Sequence, residues 1–142
     1  MSIEDNKRLA RRLIDEIANN GDLAVADEIL APDCVDRNPP AFLAERRGVD
    51  SIKELARLFR TAFPDEHYTI ESMTAEGDRV AYQWRATATH TGAFQGIPPT
   101  GKRVTMQGAT FVRVAEDKIV EIQVYSDALG LIQQIRSAPG GA

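Results

Sequence analysis

The hydrophobic period of the chain changes near His67, and this change limits the possible folds more than any other feature. Before it, apolar residues recur with helical spacing in three segments that end near Gly21, Pro32 and Pro64. After it, four segments alternate apolar and polar residues, at about 67–75, 79–91, 103–115 and 118–126. Helices followed by antiparallel hairpins predict an α+β domain whose sheet curls around the helices on one face and leaves a pocket at its open end.

Capping signals indicate where the three helices begin. Ser2 with Asp5, and Ser51 with Glu54, have the spacing of a capping box. Asp22 is placed to cap the short second helix. We therefore expect helix starts close to these residues.

Two further segments complete the predicted fold. Residues 34–40 predict a brief extended piece after the second helix, and Ala128–Arg136 predicts a last helix that docks through Leu129, Ile132 and Ile135. Residues 137–142, rich in Gly, Ala and Pro, are predicted to be a flexible tail. At 142 residues the chain is expected to form one domain over residues 1–136.

Charge and composition exclude several classes of function. The 17 basic and 21 acidic residues give a net charge of −4 without a basic cluster, so nucleic acid is not expected as a partner. No apolar run reaches the roughly 20 residues of a membrane span, and the charged N-terminus is unlike a secretory signal, which predicts a cytoplasmic protein. Cys34, His67 and His90 form no metal-ligand spacing, so we expect no metal, and Cys34 is interpreted as a small buried apolar residue.

The second strand segment carries three candidate site residues. Tyr82, Trp84 and His90 share its apolar face, and a Gly- and Pro-rich loop follows His90. The His90 ring could polarise a carbonyl or carry a proton, or it could fix the loop through hydrogen bonds. Tyr82 and Trp84 are interpreted as core residues or as the wall of a pocket.

The end of the last strand carries three more candidates. Gln123, Tyr125 and Asp127 share one parity, and we assume that the face they point to is concave. Gln123 and Tyr125 could orient a substrate oxygen or simply pack. Asp127 has two interpretations, a carboxylate that moves a proton to and from carbon, or the N-cap of the last helix.

Several stretches, in order along the chain, resemble the SnoaL-like polyketide cyclases of the nuclear transport factor 2-like superfamily. The stretches are APDCVDRNPP, FRTAFPD, EGDRVAYQWRATATHTGAFQGIPPTGKRV and DKIVEIQVYSDALGLIQQI. The resemblance implies a cone-shaped α+β roll of the cystatin-like kind with a mixed or antiparallel sheet. It also implies a homodimer or higher homo-oligomer through the outer sheet face, and chemistry without a metal or organic cofactor.

The resemblance implies the reaction of characterised members of that family, which is an intramolecular aldol cyclisation of an ester-bearing polyketide. One aspartate at the end of the last strand is the general acid and base, and it corresponds to Asp127 in YSDALGL. Arg37 stands where the family commonly has His, and Gln123 where it often has an aromatic residue, so the pocket lining is expected to differ. Arg37 and Asn38 are predicted at the pocket rim.

Three functions are therefore weighed. The first is a cyclase-like lyase or isomerase acting on a small hydrophobic carbonyl compound through Asp127. The second is a non-catalytic domain that binds a small hydrophobic ligand. The third resembles the limonene-epoxide hydrolases, but that chemistry needs an Asp-Arg-Asp set, and Arg85 is followed by Thr87 instead of a second acid.

Overall fold

The computed structural model describes residues 2–38 and 48–137 of the chain. Four α-helices and five β-strands occupy these ranges. They are α1 (Ile3–Arg12), α2 (Ala24–Ile29), β1 (Leu30–Asp36), α3 (Val49–Ala62), β2 (His67–Glu76), β3 (Arg79–Thr89), β4 (Arg103–Ala115), β5 (Lys118–Ser126) and α4 (Ala128–Arg136).

The described strands form one sheet in the order β1-β5-β4-β3-β2. The three hairpin pairings, β2 with β3, β3 with β4 and β4 with β5, are antiparallel, whereas β1 runs parallel to β5. The sheet is therefore mixed, and it packs against the N-terminal helices in a single hydrophobic core. The predicted α+β fold is confirmed.

The first helix begins at the predicted capping box. The Ser2 hydroxyl accepts a hydrogen bond from Asp5 N at 3.1 Å, and the Asp5 carboxylate accepts one from Ser2 N at 3.3 Å. After Arg12 the helix widens into a π-helical segment, Leu13–Asn19. The predicted stop at Gly21 is observed, with a left-handed φ of 68° that suits glycine.

The predicted caps of the next two helices are wrong. Leu23, not Asp22, occupies the N-cap position of α2, and no side chain caps it. Helix α3 follows Gly48, whose φ of 74° lets the backbone pass close to the Pro32 carbonyl. Ser51 consequently lies inside α3, buried, and its hydroxyl has no hydrogen-bond partner among the described residues.

Strand β1 is longer than the extended piece predicted from residue 34. It starts at Leu30, directly after α2, and pairs Leu30 with Ile119 and Val35 with Glu121 of β5. Pro32 lies within this strand rather than ending a helix. The position tolerates proline because β1 is an edge strand, where the missing N–H leaves no ladder bond broken.

Alternation divides the sheet into an inner face, which packs on the helices, and an outer face. Cross-strand pairing sets rows of inner-face residues, such as Val80 opposite Val112 and Tyr82 opposite Thr110. These side chains are buried against α1 and the π-helical segment, where Ile14 and Ile17 are also buried. The inner face is thus the side on which a pocket between sheet and helices must lie.

Side-chain amides extend the hydrogen-bond ladder where strands end. Each of three amides both donates to and accepts from the backbone of one strand residue, as a neighbouring strand would. Asn19 bonds to the backbone of Tyr68 in β2, Asn38 to that of Val124 in β5, and Gln134 to that of Thr105 in β4. Such pairs satisfy backbone groups that the unequal strand lengths would leave open.

The last helix has the predicted bounds but a different docking face. Leu131 and Ile135 are buried, whereas Leu129 is 68% exposed. Leu129 therefore does not dock the helix as predicted. No helix within the described ranges is long and apolar enough to cross a membrane.

Candidate active site

The inner-face side chains of β5 become more exposed toward the end of the strand. Near the β4–β5 turn, its side chains, among them Val114 and Ile119, are buried. Toward the end of β5, Val124 is half-buried and Ser126 is exposed, although both point inward because they pair with Thr110 and Gly108. The inner face is therefore accessible beside the end of β5.

Trp84 forms the wall next to this opening. Its indole lies across Gly108, where a Cβ atom would come within 2.6 Å of Trp84 Cζ2. Trp84 Nε1 donates to the Thr110 hydroxyl at 3.0 Å, and both side chains are buried. Tyr82 lies beside them, and burial raises the pKa of its hydroxyl. The prediction that Tyr82 and Trp84 share one apolar face is confirmed.

Asp127 lies directly after β5, one residue past the inward-facing Ser126, and it has the same strand parity as Gln123 and Tyr125. Its backbone N–H donates to Gln107 of β4 at 3.2 Å, which continues the ladder past Ser126. Its carboxylate is exposed, and Oδ1 accepts a hydrogen bond from Gly130 N at 2.8 Å. Asp127 therefore is the predicted N-cap of α4. Among the described residues Oδ2 has no hydrogen-bond partner, so this oxygen is free to meet a ligand.

His90 is completely buried and holds the loop that follows β3. Its Nδ1 lies 2.9 Å from the Thr100 hydroxyl and accepts a hydrogen bond from Thr100 N at 3.3 Å. Because Nδ1 is an acceptor, the neutral ring carries its proton on Nε2. Burial lowers the pKa of His90, while the polar backbone at Gly92 opposes this more weakly.

The other ring atoms of His90 face a packed environment. The ring centroid lies 5.5 Å from that of Phe63, and Nε2 has no hydrogen-bond partner in residues 2–38 and 48–137. The main chain at His90 also pairs with Lys102 and Gly101 across the loop. The observed contacts thus fit the interpretation of His90 as the residue that fixes the loop. Its assignment to ligand binding stays a prediction.

Gln123 and Tyr125 point away from the inner face, so the assumption that they line a concave surface is wrong. Gln123 pairs with Phe111 and Tyr125 with Ala109, and these partners lie on the outer face. Gln123 Nε2 donates to the Tyr125 hydroxyl at 2.6 Å. Equal parity places both residues on one face, but it does not identify which face the helices cover.

Arg37 and Asn38 lie beside β5. The Asn38 amide is occupied by the backbone N–H and carbonyl of Val124, so it extends the sheet. Arg37 lies 3.5 Å from Glu121, whose carboxylate also pairs with Arg113 at 3.1 Å. These contacts hold Arg37 and Asn38 against the last strand. The two prolines after Asn38 lie outside the described residues.

A buried carboxyl that the sequence interpretation missed lies at the start of β2. Glu66 is 6% exposed, and its Oε2 lies 3.5 Å from the Tyr68 hydroxyl. Burial raises the pKa of Glu66 from 4.5 to about 7; Arg60 and the Tyr68 hydroxyl oppose the shift, and Asp65 adds to it. Strand alternation could have predicted its burial, since Glu66 is two residues before Tyr68 and residues two apart in a strand point to the same face.

Cys34 is buried, as expected. Burial, followed by the nearby carboxylates of Asp36 and Asp33, raises the pKa of its thiol to about 12. The thiol is therefore protonated and unreactive at neutral pH. Within the described ranges, no three His, Cys, Asp or Glu side chains are grouped so that they could hold a metal ion.

Comparison with known proteins identifies the family. The family model of the SnoaL-like polyketide cyclases matches residues 8–135. The chain belongs to the SnoaL-like polyketide cyclase family. Among characterised family relatives, the chain is 28% identical to aklanonic acid methyl ester cyclase DauD of Streptomyces sp. strain C5, over 89% of this chain and 79% of that protein.

Solved structures of SnoaL-like proteins share the fold. A candidate SnoaL-like polyketide cyclase from Jannaschia sp. CCS1 superposes with a TM-score of 0.85 at 26% identity, covering 98% of this chain and 97% of that one. IdmH of Streptomyces antibioticus, described as a candidate polyketide cyclase, gives 0.80 at 30% identity over 92% and 97% of the two chains. The SnoaL-like assignment thus rests on both the sequence and the fold.

Proposed function

We propose that this protein is a cofactor-independent cyclase that closes a ring in a polyketide-type ester or a related carbonyl compound. The observation that carries the proposal is the position of Asp127, whose exposed carboxylate stands at the end of β5, one residue past the inward-facing Ser126. Membership of the SnoaL-like family and the likeness to a methyl ester cyclase support the same chemistry. The resemblance assigns the acid and base role to the same aspartate.

The reaction is an aldol-type ring closure with a proton taken and returned. Asp127 removes a proton from the carbon next to a carbonyl, and that C–H bonding pair becomes the enolate. The enolate carbon then attacks a second carbonyl carbon of the same molecule, which forms a C–C bond and an alkoxide. The protonated Asp127 returns its proton to that alkoxide, so the product is an isomer of the substrate.

The capping bond is compatible with this role. Gly130 N holds Oδ1 and so fixes the carboxylate orientation, while Oδ2 accepts and returns the proton. Trp84 and Tyr82 supply an apolar wall on the inner face against which a flat substrate packs. Asn38, Gln123 and Tyr125 have their polar groups engaged elsewhere and His90 is completely buried, so the chemistry is assigned to Asp127 alone.

The test is the Asp127→Asn variant, with aklanonic acid methyl ester and simpler diketo esters as substrates. Asparagine is as good an N-cap as aspartate, so the fold is retained while the base is removed. We expect ring closure, followed by liquid chromatography and mass spectrometry, to fall by roughly 10²- to 10⁴-fold. The matched control Asp22→Asn, on an exposed residue that caps no helix, keeps the wild-type rate. An unchanged rate in Asp127→Asn would exclude Asp127 as the base.

A second candidate is a binding domain without catalysis. It is favoured by one observation, that capping α4 already explains why an aspartate stands at position 127. Ligand retention without any product from the ester panel would support this alternative. The epoxide-hydrolase alternative loses support, since Arg85 lies on the outer face, where it is 3.6 Å from Glu71.

We also propose a homodimer formed through the outer sheet face. Phe111 is 44% and Tyr125 54% exposed, and their rings meet edge to face at 6.1 Å. Adjacent exposed aromatic rings on a sheet are typical of surfaces that a second protein covers. The position of Gln123 beside Tyr125 gives this surface a hydrogen-bonding group.

A further inference from the structure

Two polar side chains face inward at the β2 side of the sheet. Tyr68 pairs with Ala86, a buried inner-face residue, so its ring also points inward. Glu66 precedes it by two residues and is buried, although it lies just outside the strand. Tyr68 as a whole residue is half-buried.

The Glu66 carboxyl is poorly satisfied for a buried group. Its hydrogen-bond partner in the described residues is the Tyr68 hydroxyl, at a long 3.5 Å. Arg60 is the cation that acts on it, but the guanidinium is engaged by the carbonyls of Ala18, Asn19 and Pro64. Buried carboxyls normally have several hydrogen bonds or a salt bridge. Glu66 therefore retains capacity to bind a further polar group.

An aromatic wall connects this pair with the open end of the inner face. The Tyr68 ring lies 5.3 Å from the Trp84 ring, and the Trp84 indole lies across Gly108, next to Ser126. A ligand that enters beside β5 would meet Trp84 first and Tyr68 next. The route from Asp127 to the β2 side crosses three strand spacings, or about 14 Å along the sheet.

We propose that Glu66 and Tyr68 form a hydrogen-bonding anchor for an oxygen substituent of the ligand, on the opposite side of the inner face from Asp127. The inference rests on the proposed function, because it takes the inner face as the ligand site. It extends that function by requiring an elongated ligand that carries a polar group remote from its reacting carbons. A purely hydrophobic carbonyl compound would leave this anchor unused.

The chemistry of the anchor depends on the protonation of Glu66. When protonated, the carboxyl donates a hydrogen bond to a carbonyl oxygen; when ionised, it accepts one from a hydroxyl. The charged and titratable groups around it are Arg60 of α3, Asp65 in the preceding turn, and Tyr68 and Tyr82 on the sheet. Hydrogen bonds from Thr89 lower the pKa of Asp65, and burial raises the pKa values of both tyrosines, so the charges of these three groups stay constant near neutral pH.

The test compares two flat probes that differ in one substituent, 2-naphthol as a hydrogen-bond donor and 2-acetonaphthone as an acceptor. Their dissociation constants are measured by calorimetry at pH 5.5 and pH 8.5. The preference is the dissociation constant of acetonaphthone divided by that of naphthol. For the wild-type protein, we expect this ratio to rise about tenfold from pH 5.5 to pH 8.5, which corresponds to one charge-assisted hydrogen bond. Glu66→Gln has nearly the same shape and should show no change of preference with pH.

Two further variants separate the anchor from general effects on folding. Tyr68→Phe removes only the hydroxyl and should weaken naphthol binding while keeping the pH dependence. Glu71→Gln, on the same strand but exposed, should behave as wild type. A pH-dependent preference that persists in Glu66→Gln, or no binding of either probe to the wild type, would overturn the anchor.

Failure of the anchor can be distinguished from failure of the proposed function. The pH dependence of the probe preference needs no proton transfer by Asp127, so Asp127→Asn should keep it, whatever the substitution does to the two affinities. Suppose that Asp127→Asn loses turnover, but the pH-dependent probe preference of the wild type persists in Glu66→Gln. That result would retain the cyclase and remove the anchor. The reverse result would retain a polar ligand site without Asp127 chemistry.

Discussion

The buried carboxyl of Glu66 predicts a protein that is destabilised as the pH rises. The pKa of this group is raised from 4.5 to about 7, mainly by burial. The folded state therefore binds more protons than the unfolded state between these values, and the free energy of unfolding falls as pH increases through this window. The difference of about 2.5 pH units, at about 1.36 kcal/mol per unit, corresponds to about 3 kcal/mol of stability lost above pH 7.

Glu66→Gln removes this loss because the amide does not ionise. The variant and the wild type should have similar unfolding free energies near pH 4.5, and the variant should be the more stable by about 3 kcal/mol at pH 8. In a chain of this length, that corresponds to roughly 10 °C in the unfolding midpoint. Urea unfolding followed by Trp84 fluorescence at a series of pH values measures the difference directly.

The matched control is Glu71→Gln, which removes an exposed carboxylate of β2, the strand that follows Glu66. Its difference from wild type should stay within about 0.5 kcal/mol at every pH. The reasoning would be refuted by a Glu66→Gln variant whose advantage does not grow between pH 4.5 and pH 8. Such a result would mean that the carboxyl is hydrated or paired in solution.

Two other substitutions test the fold and the assembly. In Gly92→Ala, the new Cβ would overlap the Thr61 carbonyl, and the Ala62 carbonyl would lose a 3.0 Å hydrogen bond from Gly92, so we expect about 3 kcal/mol or more of destabilisation by urea unfolding. Gly130→Ala is the control, since the atoms nearest to its Cβ belong to the Asp127 side chain and not to the backbone. Its cost should not exceed that of losing the Asp127 cap, about 1 kcal/mol, and a cost comparable to that of Gly92→Ala would contradict the backbone explanation. Phe111→Lys places a charge on the outer face, so we expect analytical ultracentrifugation to show a monomer in place of the dimer. Ile3→Lys, at an exposed residue in α1, is the control and should leave the dimer intact. An unchanged mass for Phe111→Lys would place the interface elsewhere.

The regular elements could be predicted because they follow from patterns within single segments. Alternation in the second half of the chain gave the bounds of β4, β5 and α4 as observed. Strand β1 was predicted too short, because Pro32 was interpreted as a helix stop. A proline on an edge strand is tolerated for a reason that depends on the neighbouring strands, and the sequence of one segment does not show which edge is free.

The helix starts show the same limit. Ser2 and Asp5 form their capping box as predicted, but Ser51 and Glu54, with the same spacing, do not. The difference lies in Gly48, whose left-handed backbone turns the chain into a helix three residues earlier. That turn depends on the approach to Pro32, which is close in space and distant in sequence.

The face on which a candidate residue lies was predicted correctly where alternation could be tied to the core. Tyr82, Trp84 and His90 were placed on the apolar face because their neighbours on that strand are apolar. Gln123 and Tyr125 had no such reference. They lie on a strand whose outer face also carries an aromatic ring, so hydrophobicity does not distinguish its two faces.

The unequal lengths of β4 and β5 explain why the site lies at Asp127. Strand β4 continues to Arg103, but β5 ends at Ser126, opposite Gly108, so the β4 edge beyond this point has no strand partner. Asp127 N and the Gln134 amide satisfy part of that edge as the chain turns into α4. No β5 side chain covers the inner face beyond Ser126, and the row of Trp84, Gly108 and Ser126 is exposed at its Ser126 end. The residue that follows the strand thus stands at the edge of this exposed end, where its carboxylate also caps α4.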